Sequence, residues 1–251
     1  MTVWIGTSGW QYRDWKDGFY AGVRTADWLT HYAAHFDTVE LNGSFYRLPS
    51  RDRFEAWAGT VPDGFVMAVK ISRYLTHVKR LRDPAEPVGR FLEAATGLGP
   101  HLGPVLIQLP PNLEVDLALL DETLAHFPAH IRVAVEPRHP SWWVAELGEV
   151  LRERRAALVE ADRRGSLGPG WTTTPWRYVR LHEGGARPQP CYGRAALDHW
   201  ARRLAGAAES FVYFNNDTGG CAPRDARLLA LAARRHGLSP TRVPPPRLTP
   251  V

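Results

Sequence analysis

Between Val133 and Trp143 an apolar run, VAV, passes directly into Glu136, Arg138 and His139 before ending in Ser-Trp-Trp. An ionised side chain facing a protein interior is expensive unless something pairs with it. Glu136 and Arg138 therefore either form an ion pair of their own or face a ligand. The pattern recurs along the chain. Counting by two, polar residues fall at or near the C-terminal ends of seven apolar runs: Glu40 and Asn42, Lys70, Gln108, Glu136 and Arg138, Glu160 and Asp162, Arg180 and His182, Asn215 and Asn216. Because side chains alternate across a strand, Glu40 with Asn42, Glu136 with Arg138, Glu160 with Asp162, and Arg180 with His182 each share a face. On this reading three carboxylates (Glu40, Glu136, Asp162) meet three cations (Lys70, Arg138, Arg180), with His182 and several amides beside them.

That mixture suits acid-base chemistry on a small anionic compound. Lys70 and Arg180 fit phosphate or carboxylate, arginine by a bidentate fork and lysine as a point charge. Glu136 is the candidate general acid or base with Glu40 as its partner, since two carboxylates in one pocket can be pushed to different pKa values. His182 suits a proton shuttle. The catalytic candidates are thus Glu40, Lys70, Glu136 and His182, and the substrate-binding candidates Asn42, Gln108, Arg138, His139, Arg180, Asn215 and Asn216. No metal ligand is assigned among them, because neighbouring Lys and Arg compete with a cation, and no motif names a cofactor. Two other function classes stand beside this one. Glu40, Glu136, Asp162 and His182 are the ligand types of a metal-dependent phosphodiesterase or nuclease, and a binding protein without turnover would use the same ring. The aromatic stretch Trp10, Tyr12, Trp15, Phe19 and Tyr20, with Trp142 and Trp143, offers stacking walls or ordinary packing. The basic loop holding Arg73, His77, Lys79, Arg80 and Arg82 suits a phosphorylated ligand or a nucleic-acid backbone.

Eight apolar runs must position these residues: 3–8, 38–42, 65–72, 104–110, 132–137, 156–162, 177–182 and 210–216. Amphipathic helical patterns lie between them at 26–36, 51–58, 86–98, 116–126, 142–154, 195–205 and 223–237. Runs apolar on both faces and separated by helices imply a parallel sheet covered on both sides. Eight such units in 251 residues predict an α/β fold, a (β/α)8 TIM barrel, whose C-terminal strand ends form the mouth where catalytic side chains gather. A doubly wound open sheet is the competing architecture, but no GxGxxG turn follows the first run. The expected organisation is a single barrel domain over 1–239 and a loosely held Pro-rich tail over 240–251, with an irregular glycine-containing loop from 162 to 176. The N-terminus lacks a signal peptide's basic start and apolar middle, and no apolar run approaches membrane-spanning length. A cytoplasmic protein without a membrane partner is expected. Cys191 and Cys221 lack CxxC spacing and suggest neither a disulfide nor a zinc site. The net charge of +5 is spread along the chain, which permits an anionic partner without specifying one.

The segments WIGTSGWQYRDW, FDTVELNGSFYRLPS, VKISRYLTH, VLIQLPP, VEPRHPSWW, YVRLHE and FNND, in that order, resemble the DUF72 family of uncharacterised bacterial and archaeal proteins, also called YecE-like. The likeness runs from about residue 3 to 235. It implies a TIM-barrel fold and brings no established activity. The family's motif residues fall on Glu40, Asn42, Lys70, Gln108, Glu136, Arg138, His139, Arg180, His182, Asn215 and Asn216, the same ring that the periodicity gives. Gly43 departs from the family's small hydroxyl residue after Asn42, and Glu183 stands where glycine commonly follows the histidine.

Overall fold

A computed structural model describes residues 1–162 and 168–249. All eight apolar runs form strands: β1 (Thr2–Thr7), β2 (Thr38–Leu41), β3 (Val66–Lys70), β4 (Leu102–Gln108), β5 (Val133–Glu136), β6 (Ala157–Asp162), β7 (Trp176–Leu181) and β8 (Glu209–Phe214), followed by a short β9 (Ser239–Pro240). Among the described residues these nine strands make one sheet in the order β2-β3-β4-β5-β6-β7-β8-β1-β9, and every pairing is parallel. The expected helices lie between the strands, among them Trp28–His35, Arg51–Ala58, Leu117–Ala125 and Cys221–Arg235. Two begin where a side chain can satisfy an orphan amide. Ser50 accepts from the Arg53 N–H and Asp116 from the Leu119 N–H, the N-cap contacts that fix a helix start.

The period-2 pattern sorts the strands into two faces. Ala68, Leu106, Ala134, Ala157, Val159, Tyr178, Phe211 and Tyr213 form one apolar cluster, joined by Trp4, Val66 and Ala161. The alternate residues, such as Ile5, Val39, Val69, Ile107, Val135, Val179 and Val212, belong to a second cluster with the helices. The sheet is thus a curled α/β sheet with a packed inner face and a helix-covered outer one. β1 lies beside β2, although among the described residues no ladder pairs them. A Cβ on Gly6 would stand 2.4 Å from the Thr38 carbonyl oxygen. The Tyr32 hydroxyl bridges the two strands, accepting from the Thr7 N–H at 3.0 Å and donating to the Thr38 carbonyl at 3.0 Å.

Two features depart from the sequence reading. The C-terminal segment is held rather than loose: β9 pairs with β1, the Thr241 N–H donates to the Val3 carbonyl, the Arg242 guanidinium engages Asp37, and Val243 and Leu248 pack on the core. Residues 250 and 251 lie outside the described residues, as do 163–167 of the glycine-containing loop. Cys191 and Cys221, whose spacing suggests no disulfide, form one. Spacing could not show this, because the segment after β7 folds back through the Gly184 N–H to Pro190 carbonyl bond and so delivers Cys191 to the first turn of helix Cys221–Arg235. Among the described residues no helix is long and apolar enough to cross a membrane.

Candidate functional site

Following the inner face past its apolar cluster leads to the charged residues. Glu40 lies two positions beyond Thr38, Lys70 two beyond Ala68, Gln108 two beyond Leu106, Glu136 two beyond Ala134, and Arg180 two beyond Tyr178. Alternation alone puts them on one face. Arg180 is the hub, 2% exposed. Its Nε and Nη2 donate to the two oxygens of Glu40 at 3.0 and 2.8 Å, and its Nη1 donates to Glu136 Oε2 at 2.7 Å. Glu40 is fully buried and accepts two further hydrogen bonds, from Ser8 Oγ at 2.8 Å and the Tyr178 hydroxyl at 2.7 Å. The other oxygen of Glu136 accepts from Arg138 Nε at 2.9 Å. Ser8 and Tyr178 escape a search for charged strand ends, although both sit in inner-face register.

This network decides the protonation states. Burial pushes both glutamates up, but Arg180 outweighs it: Glu40 is held below the ordinary carboxylate value, and Glu136, with Arg138 adding to Arg180, falls to about 2. Both are anions at neutral pH with their oxygens engaged. Lys70 moves the other way. Burial first, then the positive field of Arg180, lowers it to about 8 despite the opposing fields of Glu40 and Glu136. Its ammonium donates to Gln108 Oε1 at 2.8 Å and lies 3.9 Å from the centre of the Phe45 ring, a cation-π contact.

Above the network opens a cleft in two connected parts. A cavity of about 370 Å³ is bordered by Lys70, Gln108, Arg180, Asn42, Tyr12 and Tyr46, and one of about 670 Å³ by Glu136, Trp143, Glu183, Asn216, Asp217 and several prolines. Arg138, His182 and Asn215 border both. Asn215 Nδ2 lies 2.9 Å from His182 Nδ1, which holds the imidazole in place at the junction. Asp217, the last residue of the FNND segment, was not among the sequence candidates. Burial raises its carboxyl to about 7, with Tyr12 opposing through a hydrogen bond.

Three expectations are corrected. Glu160 and Asp162 face outward, because on β6 the inner positions are Ala157, Val159 and Ala161. Glu160 pairs with Arg177 and Arg203, and Asp162 accepts from the Tyr192 hydroxyl. The metal set Glu40, Glu136, Asp162 and His182 is therefore not assembled, and among the described residues no group of three or more His, Cys, Asp and Glu is placed to hold an ion. His139 accepts from the Ser141 N–H as the cap of the turn Pro140–Trp142 and is not among the cleft residues. Asn216 falls on the opposite parity from Asn215, donating to Asp225 and the Pro190 carbonyl, yet still borders the larger cavity. Of the aromatics, Trp10, Trp15, Phe19, Tyr20 and Trp142 are core, leaving Tyr12 and Trp143 at the cleft. The basic loop stands next to Lys70, with His77 against Phe45 at 4.9 Å. Arg80 is tied to Asn112 and Lys79 to Asp83, while Arg73 and Arg82 are exposed.

Comparison with known proteins places this arrangement. The UPF0759 protein YecE of Escherichia coli strain K12 is 29% identical over 168 residues, covering 64% of this chain and 60% of that protein; the match thus spans less than two thirds of that relative's length. The crystal structure of a DUF72 family protein from Thermotoga maritima MSB8 superimposes with a TM-score of 0.80 at 28% identity, covering 94% of this chain and 99% of that one. SacUVDE, at 8% identity and a TM-score of 0.55 over 94% of this chain and 98% of its own, shares the fold. Residues 4–248 match the family described as "Protein of unknown function DUF72", and over nearly its whole length the chain belongs to that family.

Proposed function

We propose that the cleft binds a small anionic compound, phosphorylated or carboxylated, and acts on it by acid-base chemistry. The carrying observation is the charge count once Asp162 is removed from the ring. Two buried carboxylates, Glu40 and Glu136, remain against three cations, Lys70, Arg138 and Arg180, and both carboxylates are spent on arginine. With Arg138 and Arg180 paired to these carboxylates, the positive charge left over sits at Lys70, whose ammonium donates to the neutral Gln108 where the cleft begins. Glu136, an anion down to about pH 2, has no proton to give at neutral pH, so the proton-transfer role falls to Lys70, which titrates near 8, with His182 beside it. Glu40 and Glu136 serve as the frame that orients Arg180 and Arg138.

Titration calorimetry with sulfate, whose charge is constant from pH 6 to 10, tests this. Lys70 is protonated below about 8, so affinity should be full at pH 6–7 and fall on the order of tenfold per pH unit above the Lys70 pKa. Lys70→Met should weaken binding at pH 7 and flatten the profile. Binding that ignores both pH and Lys70 would remove the reading. Salt-sensitive binding of oligonucleotides, weakened by reversing Lys79, Arg80 and Arg82, would instead favour a nucleic-acid backbone at the basic loop.

We also read the curled sheet as a closed (β/α)8 barrel whose β1–β2 seam is sealed by Tyr32 in place of ladder bonds. The close approach of Gly6 to Thr38 supports this. Gly6→Ala should push the seam apart and cost about 1–3 kcal/mol, the usual range for overpacking. An alanine variant melting like the parent would argue for an open edge.

A further inference from the structure

Of the three cations in the network, Lys70 is the one placed to lose its charge. Arg180 and Arg138 are tied to Glu40 and Glu136. The Lys70 ammonium pairs with no carboxylate among the described residues: its hydrogen bond goes to the neutral Gln108 Oε1 at 2.8 Å, and the centre of the Phe45 ring lies 3.9 Å away. An amide oxygen accepts from a free amine as well as from an ammonium. Gln108 therefore holds the nitrogen in either state without favouring the charge as a carboxylate would. Lys70 is 8% exposed and borders the smaller cavity of about 370 Å³, which is enough for a compound of a few carbons.

The residue type points the same way. The chain has 31 Lys and Arg residues, and lysine stands only at 16, 70 and 79. Lys16 is exposed and Lys79 is paired with Asp83. A position that only had to grip an anion would be served better by the bidentate fork of arginine. Lysine alone offers a proton it can lose and a nitrogen that is then a nucleophile. With burial and the Arg180 field bringing Lys70 to about 8, roughly a tenth of it is free amine at pH 7.

We propose that Lys70 forms an imine with a small oxo acid, a compound whose carbonyl carbon stands next to a carboxylate. This rests on the anion reading above and names the chemistry of the anion. Having released the ammonium's third proton, Nζ adds to the carbonyl carbon, and the carbonyl oxygen becomes the hydroxyl of a carbinolamine. That hydroxyl takes a proton and leaves as water. Ammonium plus carbonyl thus gives protonated imine plus water, with a C=N bond in place of C=O and nothing oxidised or reduced. The positive charge is kept, and it faces the carboxylate one carbon away. His182, on the border of the same cavity, is suited to supply the proton to the departing oxygen. An imine draws electrons from the neighbouring bond, so the reaction class it opens is proton removal or C–C cleavage at the adjacent carbon.

Reductive trapping of the full chain tests this. The protein is incubated at pH 7.5 with pyruvate and cyanoborohydride, digested, and the adducts are located by mass spectrometry. The exposed amine of Met1, an α-amine of the kind that reacts at this pH in any protein, is the internal reference. Lys70 should be labelled on the order of tenfold faster than that amine, modest against the effective molarity of a held partner. Methyl pyruvate, which has the same carbonyl and no charge, should lose that preference, and sulfate should slow labelling at Lys70 without touching the reference. Equal labelling of the two amines by pyruvate, with sulfate still bound in titrations, would overturn the imine and leave anion binding intact. The same result with no sulfate bound would remove both readings. An undiminished preference with methyl pyruvate would overturn the oxo acid as the ligand.

Discussion

Replacing Arg180 by methionine is expected to lower stability by about 3–5 kcal/mol, the range for removing one partner of a buried ionic group. For a chain of this size that is a fall in Tm on the order of 10 °C. The reason lies in what the guanidinium holds apart. Glu40 has no solvent exposure and Glu136 is 2% exposed; three of their four oxygens take hydrogen bonds from Arg180. Without it, burial is no longer outweighed at Glu40, whose remaining donors are Ser8 and Tyr178, and its pKa should rise above the ordinary carboxylate value. The sign of the pH dependence then reverses. In the parent the folded pKa values are depressed, so the contribution is present above the ordinary value of 4.5 and lost as pH falls toward 2. In the variant a raised folded pKa makes the chain relatively more stable in acid and less so as pH rises through it. Melting curves from pH 4 to 8 check both parts. A variant that melts within 2 °C of the parent (roughly 1 kcal/mol or less) with an unchanged pH profile would show that Arg180 is not the hub.

The position of Arg180 was legible in the sequence and its role was not: expected as a fork for an anionic ligand, it is instead buried against two carboxylates of the chain. Counting by two found Glu40, Lys70, Gln108, Glu136 and Arg180 because on those strands the inner face changes from apolar to polar at its last positions. β6 misled the same count. In ALVEAD both parities carry small or apolar residues, so nothing local says that Ala161 rather than Asp162 turns inward; the pairing of Ala161 with Arg180 on β7 decides it. Uncharged contributors were invisible for a different reason. Ser8 and Tyr178 are common strand residues whose importance comes entirely from facing a buried carboxylate. Asp217 stands outside any strand, and only the depth to which the turn after β8 is buried gives it an unusual pKa. The disulfide and the docked C-terminal segment are contacts between distant parts of the chain, at separations of 30 residues for Cys191 and Cys221 and 205 for Asp37 and Arg242, beyond the reach of periodicity.

Glu136→Gln separates the two roles that VAVEPRHPSWW allows. As a proton-transfer residue Glu136 would be replaceable by glutamine with folding and anion affinity intact. As the structural counter-ion of Arg138 and Arg180, which the 2.9 and 2.7 Å contacts support, its loss strands positive charge in a buried site. Stability should then drop by about 2–4 kcal/mol at pH 7, and the gap to the parent should close as pH falls from 4.5 toward 2, where the parent's own Glu136 becomes protonated. The charge left behind also acts on the cleft. At pH 6, where Lys70 is protonated in both proteins, sulfate should bind severalfold more tightly to the variant, since attraction to the two arginines is no longer offset. The pH at which that binding is lost should move below 8, because Glu136 is one of the anions that hold the Lys70 pKa up. An unaltered melt together with an unaltered sulfate profile would return Glu136 to proton transfer. Tighter binding with an earlier loss would establish that this glutamate sets the charge of the site rather than carrying its chemistry.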